Sequence, residues 1–224
     1  MPEQSKKNAS EITIGAETKG KKRKKWTAEI IIQKSKKMFY EKGFELSMHD
    51  IARELDTKPS SLYRHIENKR ELWFAITNED FTIFQTGIGN LIQNNSGTSV
   101  EMLKKVGKYF IDFACEDFNR FQLMFLYEPP KTKNPGKYEQ ECNPDSITEL
   151  VKLCNYVILE NQLKEVTPEH LAMQMISIVL GFSVLLSPIN EYLLEKKNFK
   201  HIRDENYINT MLNTSVDGII NNYK

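Results

Sequence analysis

Cysteine is scarce in this chain of 224 residues, and its spacing offers no metal site. Zinc ligands come in closely spaced pairs, whereas Cys115, Cys142 and Cys154 stand far apart and are odd in number. The histidines are equally scattered, at His49, His65, His170 and His201. We therefore expect reduced thiols and no bound metal.

Targeting and membrane-spanning segments are missing as well. The first ten residues, MPEQSKKNAS, lack the apolar stretch of a secretory signal peptide. The longest nearly unbroken apolar run covers residues 176–186, which is too short to cross a hydrocarbon core of about 30 Å. These absences predict a cytoplasmic protein without a membrane partner.

Motifs of common enzyme chemistry do not occur either. The sequence has no HExxH motif, no GxSxG motif and no glycine-rich loop that could cradle a phosphate. We therefore expect a protein that is not an enzyme and needs no cofactor. The alternative that stays open is a helical enzyme or small-molecule binding module whose basic N-terminal part is incidental.

Helical periodicity and an uneven charge are what the chain does have. No segment alternates polar and apolar residues convincingly, so we predict an all-α fold. Residues 1–75 carry 17 lysines and arginines against 11 acids, whereas the rest carries 14 against 19. A protein that presents one end to a nucleic acid would have this asymmetry.

Two short helices joined by a tight turn are predicted between residues 47 and 69. Ser47 can accept hydrogen bonds from the first-turn N–H groups, and Asp50 can complete a capping box. Asp56 stands at the turn, where aspartate tolerates a left-handed backbone. Pro59 suits the first turn of the second helix, because its missing N–H costs nothing there.

The second helix would have one apolar side and one side made of hydrogen-bond donors. Leu62 and Ile66 are four residues apart and supply the apolar side. The donors are Lys58, Ser60, Ser61, Tyr63, Arg64, His65 and Lys69. Such a surface suits the phosphates and base edges of a DNA major groove. A solvated surface helix is the alternative, against which the turn chemistry and the absence of acids before Glu67 both weigh.

The run GFELSMHDIARELDTKPSSLYRHIENKRELW resembles the DNA-binding domain of the TetR family of bacterial helix-turn-helix transcriptional repressors. The likeness covers about residues 26 to 75 and rests on a Gly-Phe, a helix-opening Ser, an Ile-Ala and a Leu-Tyr-x-His pattern followed by Lys69. Asp56, Lys58 and Ile66 depart from the usual glycine, capping serine and aromatic residue. Because lysine cannot cap a helix, Thr57 is the alternative cap.

The resemblance implies a transcriptional regulator that binds palindromic operator DNA as a homodimer and is released by a small-molecule effector. It implies a three-helix helix-turn-helix head (26–70) and a helical body for effector binding and dimerisation (71–224). The polar, non-periodic and basic composition before the head predicts a disordered basic arm (residues 1–25). A transcriptional activator and an architectural DNA protein remain alternatives.

The donors of the head receive expected roles in DNA binding. Arg64 and Ser60 are the candidates for base edges, with Lys58 and His49 as further possibilities. The phosphate contacts would come from Ser47, Ser61, Tyr63, His65 and Lys69. Lys24 and Lys25 in the arm would contact phosphates or the minor groove, and a solubilising tail is the alternative for this basic run.

Aromatic and methionine side chains of the body are candidates for an effector pocket. They are Phe110, Phe113, Phe121, Met124, Phe125, Met173 and Phe182. Residues of this kind at helical spacing are more often plain core, but the resemblance favours a cavity.

The last part of the body is the candidate dimer interface. Residues 171–186 are apolar nearly all round, so their helix must be covered on most sides. Ser177 and Gly181 would let a second helix approach closely. The last helix would add Ile208, Met211, Leu212, Ser215 and Ile219. Burial within one subunit is the alternative.

Overall fold

The computed structural model describes residues 26–129, 131–142, 146–196 and 201–224, so the predicted arm with Lys24 and Lys25 lies outside the described residues. Within these ranges the chain forms helices and turns without a strand, which confirms the all-α prediction. The first six helices are α1 (Ala28–Lys42), α2 (Met48–Glu54), α3 (Pro59–Leu62), α4 (Lys69–Gln93), α5 (Ser99–Glu116) and α6 (Phe118–Phe125). They are followed by α7 (Lys137–Glu141), α8 (Ser146–Asn161), α9 (Pro168–Leu185), α10 (Glu191–Leu194) and α11 (Glu205–Asn222).

Helices α1 to α3 form a head around one apolar core. The Thr27 hydroxyl accepts a hydrogen bond from the Ile30 N–H and opens α1, and Gly43 closes it with a φ of 51°. The core of the head continues into the first two turns of α4, through Leu72 and Trp73. The head therefore packs directly on the helix that leads into the body.

The body has two further clusters of buried side chains. One is formed mainly by α5, α8, α9 and α11. The other is aromatic and lies where α4, α5 and α6 meet. Its centre is Phe84 of α4, whose ring lies 5.0 to 5.6 Å from the rings of Tyr109, Phe110, Phe113 and Phe125. Aromatic contacts at these distances fix α4 against the body.

The apolar run at residues 176–186 is part of a longer helix, since α9 begins at Pro168 and is long and apolar enough to cross a membrane by length and composition alone. A core helix of a soluble protein satisfies the same criterion. Here α9 packs against α5, α8 and α11, yet only 28% of it is buried. Part of its surface, including Met173 and Leu185, is therefore left uncovered within the subunit.

Some helix ends differ from what the sequence suggests. Ser99 would also suit a helix cap by its residue type, but Thr98 opens α5, in a capping box with Glu101. Residues 128–143 have the proline and glycine content of a loop, but α7 lies within them and packs against α4. Pro144 and Asp145 suit a helix start by their sequence, but both lie outside the described residues.

A buried ionic cluster joins α1 to α4. Asp80 is 1% exposed, and its carboxylate lies 2.7 Å from Lys36 Nζ and accepts a 2.6 Å hydrogen bond from the Tyr40 hydroxyl. Burial raises the pKa of the Asp80 carboxyl. Burial, and then the hydrogen bond to Asp80, raise the pKa of the Tyr40 phenol. The cluster is thus a polar tether between head and body.

Tyr40 should make the protein sensitive to alkaline pH. A phenol whose pKa is raised on folding binds its proton more tightly in the folded chain than in the unfolded one. The free energy of unfolding should therefore fall, by up to about 1.4 kcal/mol per pH unit, once the pH exceeds the usual tyrosine value of about 10. Urea midpoints measured between about pH 9 and 11.5 should fall less steeply for Tyr40→Phe than for the wild type. Tyr156→Phe, at a residue that is 65% exposed, is the control and should keep the wild-type slope. Equal slopes for all three proteins would contradict this role of Tyr40.

Candidate nucleic-acid interface

The first helix of the helix-turn-helix opens as the sequence predicts. The Ser47 hydroxyl accepts a 3.1 Å hydrogen bond from the Asp50 N–H, and the Asp50 carboxylate accepts one of 3.2 Å from the Ser47 N–H. Hydrogen bonds from the Ser47 hydroxyl and then from its N–H lower the pKa of the Asp50 carboxyl. This reciprocal capping box fixes the start of α2.

The turn uses the left-handed residue that was expected. Asp56 has a φ of 51°, and the following Thr57 N–H donates to the Ala52 carbonyl at 2.9 Å. Thr57 does not cap the next helix, because Lys58 holds the N-cap position and forms no side-chain cap bond there. The Lys58 side chain is exposed to solvent and does not cap the start of the helix.

Helix α3 is a single turn that begins at Pro59, shorter than the sequence suggested. The chain keeps winding after it, since the Tyr63 N–H donates to the Pro59 carbonyl at 3.0 Å and the Ile66 N–H to the Leu62 carbonyl at 2.9 Å. Leu62 and Ile66 are 0% and 1% exposed, so both face the core of the head as predicted. Arg64 and His65 lie in the turn that follows the helix.

Most of the predicted donors are exposed on the surface of the head. Those that are exposed are His49, Lys58, Ser60, Tyr63, Arg64 and His65. Ser47, Ser61 and Lys69 are half-buried. The Arg64 guanidinium lies along α3, with Nε 3.3 Å from the Ser60 carbonyl oxygen and Nη2 3.2 Å from Ser61 Oγ. The Arg64 guanidinium can give up these two local hydrogen bonds and donate instead to acceptors on a bound DNA duplex.

A cavity of about 780 Å³ lies in the body between α4, α5, α8 and α9. Of the predicted pocket residues, Phe110, Met124 and Phe125 line it. Phe113 and Phe121 are buried in the aromatic cluster beside it, and Phe182 packs in the core of the body. The prediction for Met173 is wrong in this respect, because its side chain is 59% exposed and does not line the cavity.

The rest of the cavity wall was missed by sequence reasoning. It consists mostly of aliphatic residues, among them Ile88, Leu103, Val106, Leu153 and Val179. Gln85 and Glu149 are its polar members. Aliphatic residues at helical spacing look the same in a sequence whether they fill a core or line a cavity. The sequence therefore could not distinguish the residues of a cavity wall from those of a filled core.

The outer faces of α9 and α11 carry only some of the predicted interface residues. Ser177, Gly181 and Met211 are exposed, and a Cβ at Gly181 would have no neighbour within 4 Å. Ser215 and Ile219 are half-buried. Ile208 and Leu212 are 9% and 1% exposed within the subunit, so the structure removes both from the predicted interface. Leu212 instead packs against Gly107 of α5.

A sequence model of one family matches the head. It is described as bacterial regulatory proteins, tetR family, and it matches residues 31–76. No curated protein matches the chain by sequence.

Solved structures match over most of the chain. AibR in complex with isovaleryl coenzyme A and operator DNA is 18% identical with a TM-score of 0.59, covering 86% of this chain and 95% of that one. The fatty acid degradation regulator FadR from Bacillus halodurans is 12% identical with a TM-score of 0.56, covering 85% and 96%.

A regulatory protein of the tetR family from Rhodococcus RHA1 is 13% identical with a TM-score of 0.56, covering 88% of this chain and 96% of that one. At such identities the likeness shows a shared fold, whereas the family model identifies the head. Together these findings confirm the resemblance to the TetR family: the chain carries the DNA-binding domain of this family of bacterial regulators and has the all-α fold of its solved members.

Proposed function

We propose that this protein is a ligand-responsive repressor that binds a palindromic operator as a homodimer and is released by a small molecule. The observation that carries the proposal is the exposed donor surface of the head, held on a helix-turn-helix with a complete capping box. In this proposal residues 26–70 bind DNA and residues 71–224 bind the effector and the second subunit.

The proposed DNA surface makes two kinds of contact, one to base edges and one to phosphates. Arg64 contacts Ser60 at the exposed end of α3, and both would read base edges, with Lys58 and His49 as further candidates. Ser47, Ser61, Tyr63, His65 and Lys69 would hold the phosphates on either side. Phosphate contacts set the register of the head on the duplex, and base contacts set its sequence preference.

A homodimer is supported by the uncovered face of α9. Met173 and Leu185 are 59% and 45% exposed, and Ser177 and Gly181 lie between them at four-residue spacing. Such a stripe of apolar and small residues lets a helix of a second subunit approach closely. Met211 and Ser215 of α11 would complete the contact. The two heads would then have to match half-sites about 34–36 Å apart.

The cavity favours an apolar effector. Its volume of about 780 Å³ is within the range of ligand sites, and its walls are mostly aliphatic and aromatic. AibR was solved with isovaleryl coenzyme A, and FadR is a regulator of fatty acid degradation. We therefore propose an acyl group as the part of the effector that enters the cavity.

Base preference is the test of the proposed DNA surface. Arg64→Ala should reduce discrimination at one base pair per half-site by about 1–3 kcal/mol, the contribution of a good bidentate contact. Tyr63→Phe should weaken binding to all sequences about equally, because a phosphate contact carries no base information. An operator selected by the wild-type protein from random duplexes, and its single-base variants, provide the measurement at fixed salt. If Arg64→Ala lowers affinity uniformly and leaves all base preferences unchanged, Arg64 is not a base-reading residue.

A further inference from the structure

A segment of the body lies against the base of the head. This segment, which we name the strap, comprises residues 131–142 between α6 and α8 and includes α7. Glu139 forms a forked ion pair with Arg70 in the first turn of α4, with Arg70 Nε 2.8 Å from Glu139 Oε2. Arg70 follows directly after Lys69, so the strap meets α4 at its DNA-facing end.

Backbone contacts fix the strap at this place. The Tyr138 N–H donates to Glu71 Oε2 at 3.0 Å, and the Tyr138 carbonyl accepts from Asn78 Nδ2 at 2.8 Å. Tyr138 also packs against the core of the head, and Glu71 is 4% exposed. Gly136 lies so close to the Glu71 carboxyl that a Cβ there would come within 2.0 Å of it. These contacts hold the strap on the start of α4, with Tyr138 against the core that α4 shares with the head.

The outer part of the strap is basic. Its sequence from residue 131 to 137 is KTKNPGK, with three lysines and no acid, and all three lysines are exposed. Lys137 lies 3.9 Å from Glu141 and keeps 72% of its side chain exposed. Among the residues that the structure describes, Lys131 and Lys133 form no ion pair. Solvated lysines are common on surfaces, so position must decide whether this patch has a function.

The position of the strap lysines favours a role in DNA binding. Lys137 directly precedes Tyr138, whose N–H donates to Glu71 Oε2 at 3.0 Å, and Glu71 is two residues from Lys69. Lys69 is one of the proposed phosphate ligands. Lys137 therefore lies at the edge of the same surface.

We propose that the strap is a second phosphate-binding element, in which Lys131, Lys133 and Lys137 contact the DNA backbone beside the operator half-site. The proposal rests on the proposed function of the head in DNA binding. Because the strap is anchored to the first three turns of α4, which share the apolar core of the head, its lysines move with the head and extend the same positive surface. Contacts of this kind add affinity and salt dependence but no base preference.

The salt dependence of operator affinity tests the strap directly. Each phosphate contact contributes about 0.9 to the slope of log affinity against log salt, so one lost contact per subunit lowers the slope of a dimer by about 2. The triple variant Lys131→Gln, Lys133→Gln, Lys137→Gln should show at least this decrease and bind about tenfold more weakly at physiological salt. Base preferences on single-base operator variants should stay as in the wild type.

A matched control separates a local contact from a change in net charge. Lys105, Lys164 and Lys224 are exposed at the other end of the body, where Lys105 pairs with Asn95 and Lys164 lies beside Tyr223. The triple Gln variant at these positions should keep the wild-type slope, and Lys→Arg at the three strap positions should also keep it. An equal slope for the wild type and the strap variant, or equal losses in both Gln variants, would overturn the strap proposal. If the wild-type protein selects no duplex at all, the proposed function fails instead.

Discussion

Gly181→Trp should convert the protein from a dimer to monomers and weaken operator binding by about 100-fold or more, because linked half-sites gain that much from simultaneous binding. Gly181 is on the exposed face of α9, and a Cβ there meets nothing within 4 Å in the subunit. A tryptophan at this position is therefore tolerated in the monomer and excluded only from a closely packed interface between two α9 helices.

Sedimentation velocity gives the oligomeric state, and fluorescence anisotropy gives the operator affinity. Leu159→Trp is the control, since Leu159 is 66% exposed on α8 and is not one of the residues of the proposed interface. It should remain a dimer with wild-type affinity. A Gly181→Trp protein that sediments as an unaltered dimer would place the interface elsewhere.

Leu153→Trp should abolish the response to the effector without impairing operator binding. Leu153 is a half-buried residue of α8 in the cavity wall, and a larger side chain there reduces the space for an acyl group. With isovaleryl coenzyme A and octanoyl coenzyme A as probes, we expect a loss of ligand affinity of about 100-fold, equivalent to about 2.7 kcal/mol.

Calorimetry measures this affinity, and Leu159→Trp on the same helix serves again as the control. Overpacking can destabilise a protein by about 1–3 kcal/mol, so the urea midpoint of each variant belongs to the experiment. A folded Leu153→Trp protein that still binds either probe as tightly as the wild type would mean that the cavity is not the effector site.

Local signals in the sequence predicted the head well. The capping box of Ser47 and Asp50, the left-handed Asp56 and the helix start at Pro59 all depend on residues within a few positions of one another. Such features are determined by neighbouring residues, so they can be predicted directly from the sequence. The absence of a side-chain cap at Lys58 was also predicted from local chemistry. The alternative prediction, that Thr57 caps the helix instead, was wrong.

The body was predicted less well because its features depend on distant contacts. Met211 and Leu212 are neighbours in α11, yet Met211 is 37% exposed and Leu212 is 1% exposed. Periodicity shows that a helix has an apolar side but cannot tell which stripe faces its own subunit. The strap depends even more on distant contacts, since the hydrogen bond between Tyr138 and Glu71 joins residues that are 67 positions apart. Nothing in a proline- and glycine-containing loop indicates such a partner.

The most direct test of a ligand-responsive repressor is the operator Kd measured with and without a saturating acyl coenzyme A probe. Coupling free energies in allosteric proteins are typically about 1–3 kcal/mol, so we expect the probe to raise the operator Kd by about tenfold. By linkage, saturating operator should weaken the binding of the probe by the same factor. A probe that binds in the cavity of the wild-type protein and leaves the operator Kd unchanged would contradict the account.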